Sequence, residues 1–189
     1  AKGADVILNF QAGDGELDRY VDLLRTANEQ QNLIAASTAG EAIWIRHIAD
    51  SAQLLLHASA RHGPWLDIGS GPGLPGLVVA LCDSIVEMVL VEPRRLRCTF
   101  LRETIAKLGL DGRVQVVEAP LEKMPSRAFA TISARAFAPL PKLLAQAERF
   151  ATMETRWLLP KGRSAQNELS TVSAAWQRLF HVEPSLTDA

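Results

Sequence analysis

Short hydrophobic runs of four to seven residues recur along the chain, and between them the apolar positions take the spacing of helices. The runs predict buried strands at 65–68, 85–91, 113–117, 129–133 and 156–159. The intervening stretches predict helices that begin near Pro75 and then span 94–108, 139–150 and 165–179. Strands that alternate with helices in this way indicate an α/β fold with a doubly wound, mostly parallel sheet and right-handed crossovers.

The first third of the chain has helical spacing only. Asp14 is a candidate N-cap for a helix that begins at Glu16, and the polar run at 28–32 is expected to end that helix. Leu33 and Ile34 are then expected to turn inward. The buried face of the helix is predicted from an i, i+3, i+4, i+7 pattern made by Leu17, Tyr20, Val21 and Leu24.

A second helix is expected before the first strand. The segment Thr38-Ala-Gly-Glu41 fits a capping box, in which the first and fourth residues bind each other's backbone N–H groups. Gly63-Pro64 is expected to break this helix. Its predicted apolar face comprises Ile45, Ile48, Ala52, Leu55 and Leu56. The chain is therefore divided into a helical extension, residues 1–62, and an α/β core, residues 63–189.

Four glycines follow the first strand within eight residues, at Gly69, Gly71, Gly73 and Gly76. Glycine is needed where the backbone takes a positive φ or where a ligand lies against it. The last three fit the dinucleotide pattern G-x-G-x-x-G, which is a weak signal alone. With Asp67 the wider frame resembles the first motif of S-adenosylmethionine (SAM)-dependent methyltransferases. An ordinary tight turn before a helix is the alternative.

Two prolines in this loop favour SAM over a dinucleotide. A pyrophosphate binds to loop amides and to the N-terminus of the following helix. Pro72 and Pro75 each lack an N–H group, so such a site would lose two donors. SAM carries no phosphate, and its sulfonium cation would be stabilised by a nearby carboxylate such as Asp67.

Glu92 ends the second predicted strand, nineteen residues after Gly73. An acid at this place can accept hydrogen bonds from a ribose diol of either SAM or NAD, although a solvated strand end is the alternative. Ligands of such sheets bind beyond the carboxyl ends of the strands. The residues expected at that edge are 67–74, Glu92, 119–122, 133–137 and 160–163.

The net charge is −1, so any nucleic-acid site must be a local patch. Basic residues cluster at Arg94, Arg95, Arg97 and Arg102, at Lys161 and Arg163, and at Arg46 and His47. The helix cluster at 94–102 either contacts phosphates or is a solvated helix face. For residues 46–51, two further alternatives are packing on the core and packing over the cofactor.

Cysteines and histidines give no sign of a metal site or a disulfide. The spacing of Cys82 and Cys98 fits neither, and the four histidines have no metal-ligand pattern. The sequence contains no signal peptide and no long apolar span. We expect a monomeric cytoplasmic protein that binds neither a membrane nor a metal.

Four separate stretches make the chain similar to the RsmG (GidB) family of small-subunit ribosomal RNA methyltransferases. Arg46–Ser51 resembles the family's R-H-x-x-D-S helix, and Asp67–Gly76 resembles its G-x-G-x-P-G loop. Ser133–Ala138 resembles its S-R-A-x-A stretch, and Leu159–Ser164 its K-G-R/Q stretch. The resemblance as a whole covers about residues 16–180, and four such motifs in the right order are specific where one would be weak.

The resemblance implies a Rossmann-like SAM-dependent methyltransferase fold and methylation of guanine N7 in 16S rRNA, either as naked RNA or in the small ribosomal subunit. It implies cofactor contacts at Gly69, Leu74, Leu121, Glu122 and Arg135, with Leu121 and Glu122 at the adenine end. These add to the contacts predicted above at Asp67, Gly71, Gly73 and Glu92. Arg135 and Lys161 are the predicted catalytic residues, and RNA contacts are predicted at Arg46, His47, Lys161 and Arg163.

The chain departs from the family in two places. Ala134 stands between Ser133 and Arg135, where the family has Ser and Arg adjacent, so only Arg135 is carried over from that motif. The family ends with a further strand hairpin, which is expected to be incomplete here after the start of a sixth strand.

Guanine N7 carries a lone pair and no proton, so its attack on a methyl sulfonium needs no general base. Catalysis would come from alignment of the reacting atoms and from electrostatic stabilisation, with Arg135 at the guanine O6 or at an adjacent phosphate. A surface ion pair is the alternative for Arg135. Two rival functions stay open: an NAD-linked oxidoreductase on the same fold, and a non-catalytic RNA-binding assembly factor.

Overall fold

The computed structural model describes residues 15–58 and 63–187. Its centre is a parallel sheet of five strands in the order β3-β2-β1-β4-β5, which confirms the predicted α/β architecture. The strands are β1 (Trp65–Ile68), β2 (Met88–Val91), β3 (Val114–Val117), β4 (Thr131–Ala134) and β5 (Arg156–Leu158). The chain runs outward from β1 through β2 to β3 and then returns to place β4 on the other side of β1. The switch point therefore lies at the carboxyl ends of β1 and β4.

Two of the predicted strands begin later than expected. Strand β2 begins at Met88 instead of residue 85, because Ile85 lies in a turn where its N–H donates to Asp83 Oδ1 at 2.9 Å. Strand β4 begins at Thr131 instead of residue 129, because the Phe129 N–H donates to Phe150 O at the end of a helix. Both shifts lie at the amino ends of the strands, so the carboxyl-end edge is unaffected.

Helices cover both faces of the sheet, as its topology requires. They are α1 (Glu16–Gln31), α2 (Gly76–Cys82), α3 (Arg95–Lys107), α4 (Leu140–Ala147), α5 (Ala165–Ser170) and α6 (Ala174–Gln177). The single helix expected at 165–179 is wrong: it is broken between α5 and α6. There Val172 turns into an apolar cluster with Leu140, Leu144 and Leu169, and Ser173 is extended.

The helical extension shares its core with the sheet. Leu17, Tyr20, Val21 and Leu24 of α1 are buried, as are Leu33 and Ile34 after it, which confirms both predictions. They belong to one cluster with Leu77, Val78 and Leu81 of α2. The predicted N-cap Asp14 lies outside the described residues, and Gly15 precedes the first helical residue. The division between residues 62 and 63 adjoins residues 59–62, which also lie outside them, so that division stays a prediction.

The second helix differs from its prediction. A capping box at Thr38 is wrong, because Thr38 belongs to a 3-10 turn, Ala36–Thr38, and its hydroxyl donates to Ala35 O. The helix comprises a π-helical stretch (Trp44–Ala49), one α-helical turn (Asp50–Ala52) and a 3-10 stretch (Gln53–His57). We call these three pieces the segmented helix.

The irregular geometry of the segmented helix changes which residues face inward. Ile48 and Ala52 are buried as predicted, together with Ile43, but Ile45 and Leu56 are exposed. A π-helix has more residues per turn than an α-helix and rotates the side chains that follow. Regular 3.6-residue spacing therefore assigned Ile45 and Leu56 to the wrong face.

The sheet ends at β5 among the described residues. No strand is present between Gln177 and Thr187 in that part of the chain, so the expected start of a sixth strand is not found there. Residues 185–187 instead contact Asp50 and Gln53 of the segmented helix. Cys82 and Cys98 are buried free thiols, which agrees with the absence of a disulfide pattern in the sequence.

Candidate active site at the carboxyl ends of the strands

The glycine-rich loop between β1 and α2 has the conformation that its composition predicts. Gly69, Gly71 and Gly73 have φ angles of 67°, 57° and 98°, in the left-handed region that disfavours side chains. The N–H groups of Gly69 and Ser70 donate to Val91 O, which fixes the loop to the end of β2. The backbone at these three positions therefore favours glycine and carries no side chain.

Asp67 braces this loop from behind. Its carboxylate is fully buried, accepts a hydrogen bond from Ser133 Oγ at 2.7 Å, and accepts another from the Gly76 N–H at 3.2 Å. Burial raises the pKa of Asp67 to about 6, and the hydrogen bonds and the nearby Arg135 limit that rise. At neutral pH the carboxylate thus links β1, β4 and the first turn of α2.

Glu92 lies beside the loop at the end of β2. Its side chain is buried, and Oε2 accepts the Gly71 N–H at 3.0 Å. Its other oxygen accepts both the backbone N–H and the Nε–H of Arg94, at 3.0 and 2.9 Å. A carboxylate is therefore held next to Gly71, where parallel pairing of β1 and β2 brings the two strand ends together.

A cleft of about 210 Å³ opens in front of the loop. Its lining includes Gly69, Leu121, Glu122, Phe137 and Gln146. A Cβ atom on Gly69 would lie 2.7 Å from the Phe137 ring, so glycine lets this ring pack directly against the loop. Leu121 is buried, and Glu122 Oε1 accepts a hydrogen bond from Gln146. Both residues line the cleft, and their contact with the cofactor stays a prediction.

A larger groove of about 580 Å³ lies between α1 and α3. Its lining includes Arg19, Thr26, Glu103 and Lys107, and none of the predicted site residues. Size alone would favour this groove, but ligands of doubly wound sheets bind at the strand ends. The smaller cleft is therefore the candidate site.

Arg135 follows β4 and extends toward the segmented helix. One of its terminal nitrogens lies 3.3 Å from His47 Nδ1, 3.5 Å from Arg46 O and 3.8 Å from Asp50 Oδ2. The Arg135 charge also acts on Asp67 and on the buried Tyr20. The structure thus brings Arg135 to the junction between the extension and the glycine loop.

Tyr20 is a contact that the sequence pattern did not identify. Its hydroxyl donates to Pro72 O at 3.0 Å, so α1 fixes the top of the glycine loop. Burial raises the pKa of Tyr20 above its ordinary value, with Arg135 acting in the opposite direction. Tyr20 followed the apolar spacing of α1 and was assigned to the core; its buried hydroxyl was the available signal for a polar partner.

The partly buried His47 ring lies between Arg135 and Thr38. Its Nε2 lies 2.8 Å from Thr38 Oγ1. Burial, and then the Arg135 charge, lowers the pKa of His47 to about 4. A neutral imidazole offers hydrogen bonds to a phosphate but no charge. The exposed Arg46 is the more favourable phosphate contact of the two, and RNA binding by either residue stays a prediction.

Lys161 and Arg163 lie in different environments although they are two residues apart. Lys161 Nζ donates to Glu168 Oε2 at 2.8 Å and to Ala138 O at 3.2 Å. It thereby fastens the loop after β4 to α5, and its hydrogen bond holds the pKa of Glu168 below the usual range. Arg163 is exposed. Their predicted roles in catalysis and RNA binding stay predictions.

The basic cluster on α3 is divided between two kinds of contact. Arg94 pairs with Glu92, and Arg102 pairs with Glu118 at 2.7 Å. Arg97 reaches the glycine loop, since its guanidinium would lie 3.3 Å from a Cβ on Gly71. The cluster is therefore partly an ion-paired face and partly a border of the glycine loop.

Neither a metal-binding cluster nor a membrane-spanning helix is found among the described residues. Within 15–58 and 63–187, no group of three or more His, Cys, Asp or Glu side chains is arranged to hold a metal ion. None of the helices in these ranges has the length and apolar character needed to span a bilayer.

Solved structures with a similar fold define the class of protein. One described as an S-adenosyl-L-methionine-dependent methyltransferase from Methanococcus maripaludis gives a TM-score of 0.55 at 16% identity, over 84% of this chain and 70% of that one. The glycopeptide N-methyltransferase MtfA complexed with SAM gives 0.51 at 15% identity, over 58% and 52%. The fold is therefore the Rossmann-like fold of SAM-dependent methyltransferases.

Sequence relatives give the family. The family model described as GidB, rRNA small subunit methyltransferase G, matches residues 14–187. Ribosomal RNA small subunit methyltransferase G of Sphingopyxis alaskensis is 59% identical over 92% of this chain and 74% of its own length. The protein of that name from Erythrobacter litoralis is 51% identical over 93% and 84%. This chain belongs to the GidB family, which confirms the predicted enzyme class and the cofactor SAM.

Proposed function

We propose that this chain transfers the methyl group of SAM to N7 of a guanine in 16S rRNA. SAM, when bound, supplies an electrophilic methyl group on a sulfonium. Membership of the rRNA small subunit methyltransferase G family carries the choice of an rRNA substrate. We further propose that the protein acts as a cytoplasmic monomer without a metal and without attachment to a membrane.

The residues at the strand ends fit a bound SAM. Gly69 lines the cleft, and the absence of a side chain there lets the Phe137 ring pack against the loop at the edge of the cleft. Glu92 lies where a ribose diol would donate to it: Oε2 accepts only the Gly71 N–H and keeps a lone pair, whereas Oε1 already accepts two hydrogen bonds from Arg94. Leu121 and Glu122 then border the adenine, and Leu74 and Gly73 complete the loop. Asp67 acts as a brace of this loop.

N7 of guanine is an acceptor that needs no general base in this site. Its lone pair is free, so no residue has to remove a proton before it attacks the methyl group. The chain's task is to align the base and to exclude competing geometries. Arg135 holds the guanine through O6 or a neighbouring phosphate, which leaves N7 unoccupied; the usual bidentate arginine–guanine pairing would block it.

RNA binding relies on local cations, because the whole chain has a net charge of −1. The exposed Arg46 lies on the segmented helix, where its carbonyl contacts Arg135, and the exposed Arg163 lies on the loop after β5. Phosphate neutralisation by such residues supplies most of the affinity for RNA and makes it depend on salt.

The test is methyl transfer from radiolabelled SAM to 16S rRNA, both naked and in small ribosomal subunits. A matched transcript that carries 7-deazaguanosine lacks N7 and should accept no label, whereas the normal RNA should be labelled and become cleavable at N7-methylguanosine. Label on the 7-deaza transcript would contradict N7 as the acceptor. Calorimetric titration with NAD should give no binding; binding of NAD without SAM would favour the oxidoreductase alternative.

A further inference from the structure

Arg135 is held in place by residues far from it in the sequence. Its contacts with His47 and Asp50 join positions 88 and 85 residues apart. The side chains of Arg135 and Asp50 are only 21% and 24% exposed. A long arginine side chain has many rotamers when it is free. Several partners on one turn of the segmented helix therefore restrict the positions that the guanidinium can occupy.

The backbone after Arg135 separates two neighbouring side chains. Ala136 has a φ of 52°, a left-handed conformation that costs a residue with a Cβ atom about 1 kcal/mol or more. On either side of it, Arg135 contacts the segmented helix while Phe137 lines the cleft above Gly69. The left-handed backbone at Ala136 thus places Arg135 against the extension and Phe137 against the cleft.

His47 presents a lone pair to Arg135. The Thr38 hydroxyl donates its only hydrogen bond to Ala35 O at 3.0 Å, so Oγ1 accepts a hydrogen bond from the His47 Nε2–H at 2.8 Å. The Nε2–H tautomer leaves Nδ1 as an acceptor, and it is Nδ1 that lies 3.3 Å from the Arg135 guanidinium. The chain Ala35–Thr38–His47–Arg135 therefore has a single direction of donation.

Asp50 supplies the matching charge in a fixed orientation. Its Oδ1 accepts hydrogen bonds from Gln53 Nε2 at 2.8 Å and from Thr187 Oγ1 at 3.1 Å. These contacts leave Oδ2 directed at Arg135, at 3.8 Å. The carboxylate is thus held by its own neighbours and does not depend on Arg135 for its position.

We propose that His47 and Asp50 are positioning residues of the methyl-transfer site, which hold the Arg135 guanidinium beside the glycine loop where it can reach the substrate guanine. This role rests on the proposed function, because it assigns Arg135 to the substrate. The motif residues at 47 and 50 then act on the reaction through Arg135, whereas the proposed role of the neighbouring Arg46 is to contact the RNA.

A double-mutant cycle tests the role of Asp50. Asp50→Asn, Arg135→Ala and the double variant are compared in single-turnover methylation of rRNA with saturating RNA and SAM. Asp50→Asn should slow the wild-type reaction between about tenfold and a hundredfold, the range expected when a contact group is misplaced. It should leave the rate of Arg135→Ala unchanged, since there is no guanidinium left to position. Asp111→Asn, an exposed aspartate at the amino end of β3, is the matched control.

A second pair of variants tests the direction of the His47 contact. Asparagine places an amide oxygen near the position of Nδ1, whereas glutamine places its amide near that of Nε2. His47→Asn should therefore keep an acceptor for Arg135 and react within a fewfold of the wild type. His47→Gln keeps only the side toward Thr38 and should be slowed as Asp50→Asn is. Melting temperatures and SAM affinities are measured for every variant, so loss of folding is recognised.

The outcomes separate this inference from the proposed function. If Asp50→Asn slows the Arg135→Ala enzyme by the same factor as the wild type, or if the two His47 variants behave alike, the positioning role is wrong and N7 methylation stands. If Arg135→Ala reacts at the wild-type rate, there is nothing to position, and the role fails together with the substrate contact assigned to Arg135. If the wild-type chain does not methylate rRNA, both proposals fail.

Discussion

The two sides of the cleft are built in different ways. On the cofactor side, Asp67 and Glu92 are fully buried, and the backbone N–H groups of Gly71, Gly76 and Arg94 donate to their carboxylates. On the substrate side, Arg135 and Lys161 are partly exposed, and their partners are side chains and carbonyls of separate elements. The cofactor side is held mainly by backbone groups next to the carboxyl ends of β1 and β2, whereas the substrate side depends on contacts between elements that are distant in the sequence.

This difference has an energetic reason. A buried carboxylate without hydrogen bonds is costly, so Asp67 and Glu92 hold the loop in one arrangement. Partly exposed cations can exchange a protein partner for water at little cost. The cofactor side should therefore tolerate little change in shape, whereas the substrate side should respond gradually.

The largest effect is expected from a side chain in the glycine loop. Gly69→Ala would strain a backbone with φ of 67° and bring a Cβ to 2.7 Å from Phe137. Overpacking of this kind costs roughly 1 to 3 kcal/mol. We expect Phe137 to relieve it by moving into the cleft, which should weaken SAM binding about 5- to 150-fold. Calorimetric titration measures it.

Gly109→Ala is the control for this variant, because Gly109 has a φ of 68° but no heavy atom within 4 Å of the added Cβ. It should lose some stability and keep its affinity for SAM. Equal affinities for SAM in the two variants would show that backbone strain, and not the shape of the cleft, decides the result.

A smaller loss is expected at the end of β2. Glu92→Gln keeps the shape of the side chain but removes the charge that accepts hydrogen bonds from Gly71, from Arg94 and, by proposal, from the ribose. Hydrogen bonds to a charged group contribute about 1.5 to 3 kcal/mol, and the neutral amide oxygen of glutamine keeps part of this, so SAM affinity should fall about tenfold. Glu87→Gln, an exposed change at the amino end of the same strand, should have no effect. Similar titrations for both variants would remove Glu92 from the cofactor site.

The same difference explains what could be predicted from the sequence. The loop at Gly69, Gly71 and Gly73 has the left-handed conformations that its composition predicted, because a short segment determines them. The five strands and their parallel direction were likewise predicted, since hydrophobic runs and alternation with helices determine them. Only the amino ends of β2 and β4 were displaced by more than one residue.

Contacts between distant segments could not be predicted in this way. Tyr20 with Pro72 and Asp50 with Arg135 depend on how the extension packs on the core, and no local pattern encodes that. The segmented helix was misjudged for a related reason: its π-helical stretch breaks the 3.6-residue period from which Ile45 and Leu56 were assigned. Motif order indicated that residues 46–51 matter, but not what they contact.

On the substrate side, Lys161→Ala and Arg163→Ala should separate two functions. Lys161→Ala frees Glu168 and the carbonyl of Ala138, so it should lower the single-turnover rate a fewfold and slightly lower the melting temperature. Arg163→Ala should leave that rate unchanged, weaken RNA binding, and reduce the slope of affinity against salt by about one. If Lys161→Ala changes only the salt slope, Lys161 is an RNA contact and not a fastening of the loop.

The smallest effect is expected on the pH dependence of the free energy of unfolding. Asp67 on the cofactor side and His47 on the substrate side contribute to it with opposite signs. The folded pKa of Asp67 is about 6, above its ordinary 3.8, so its contribution is present at low pH and is lost as pH rises through this range. The folded pKa of His47 is about 4, below 6.5, so its contribution is present at high pH and is lost as pH falls.

Between about pH 4 and 6 these two contributions oppose each other, and the wild-type free energy of unfolding should change little on their account. Asp67→Asn removes only the contribution that falls with rising pH. The free energy of unfolding of this variant, minus that of the wild type, should therefore increase from pH 4 to 6, by no more than about 1.4 kcal/mol per pH unit for one proton. Other carboxylates are common to both proteins and cancel in the difference, and any hydrogen bond weakened by the amide adds only a constant offset. Urea unfolding at several pH values measures the slope. A flat difference would mean that Asp67 titrates alike in the folded and unfolded chains, and a falling one would mean that its charged form is favoured by the fold.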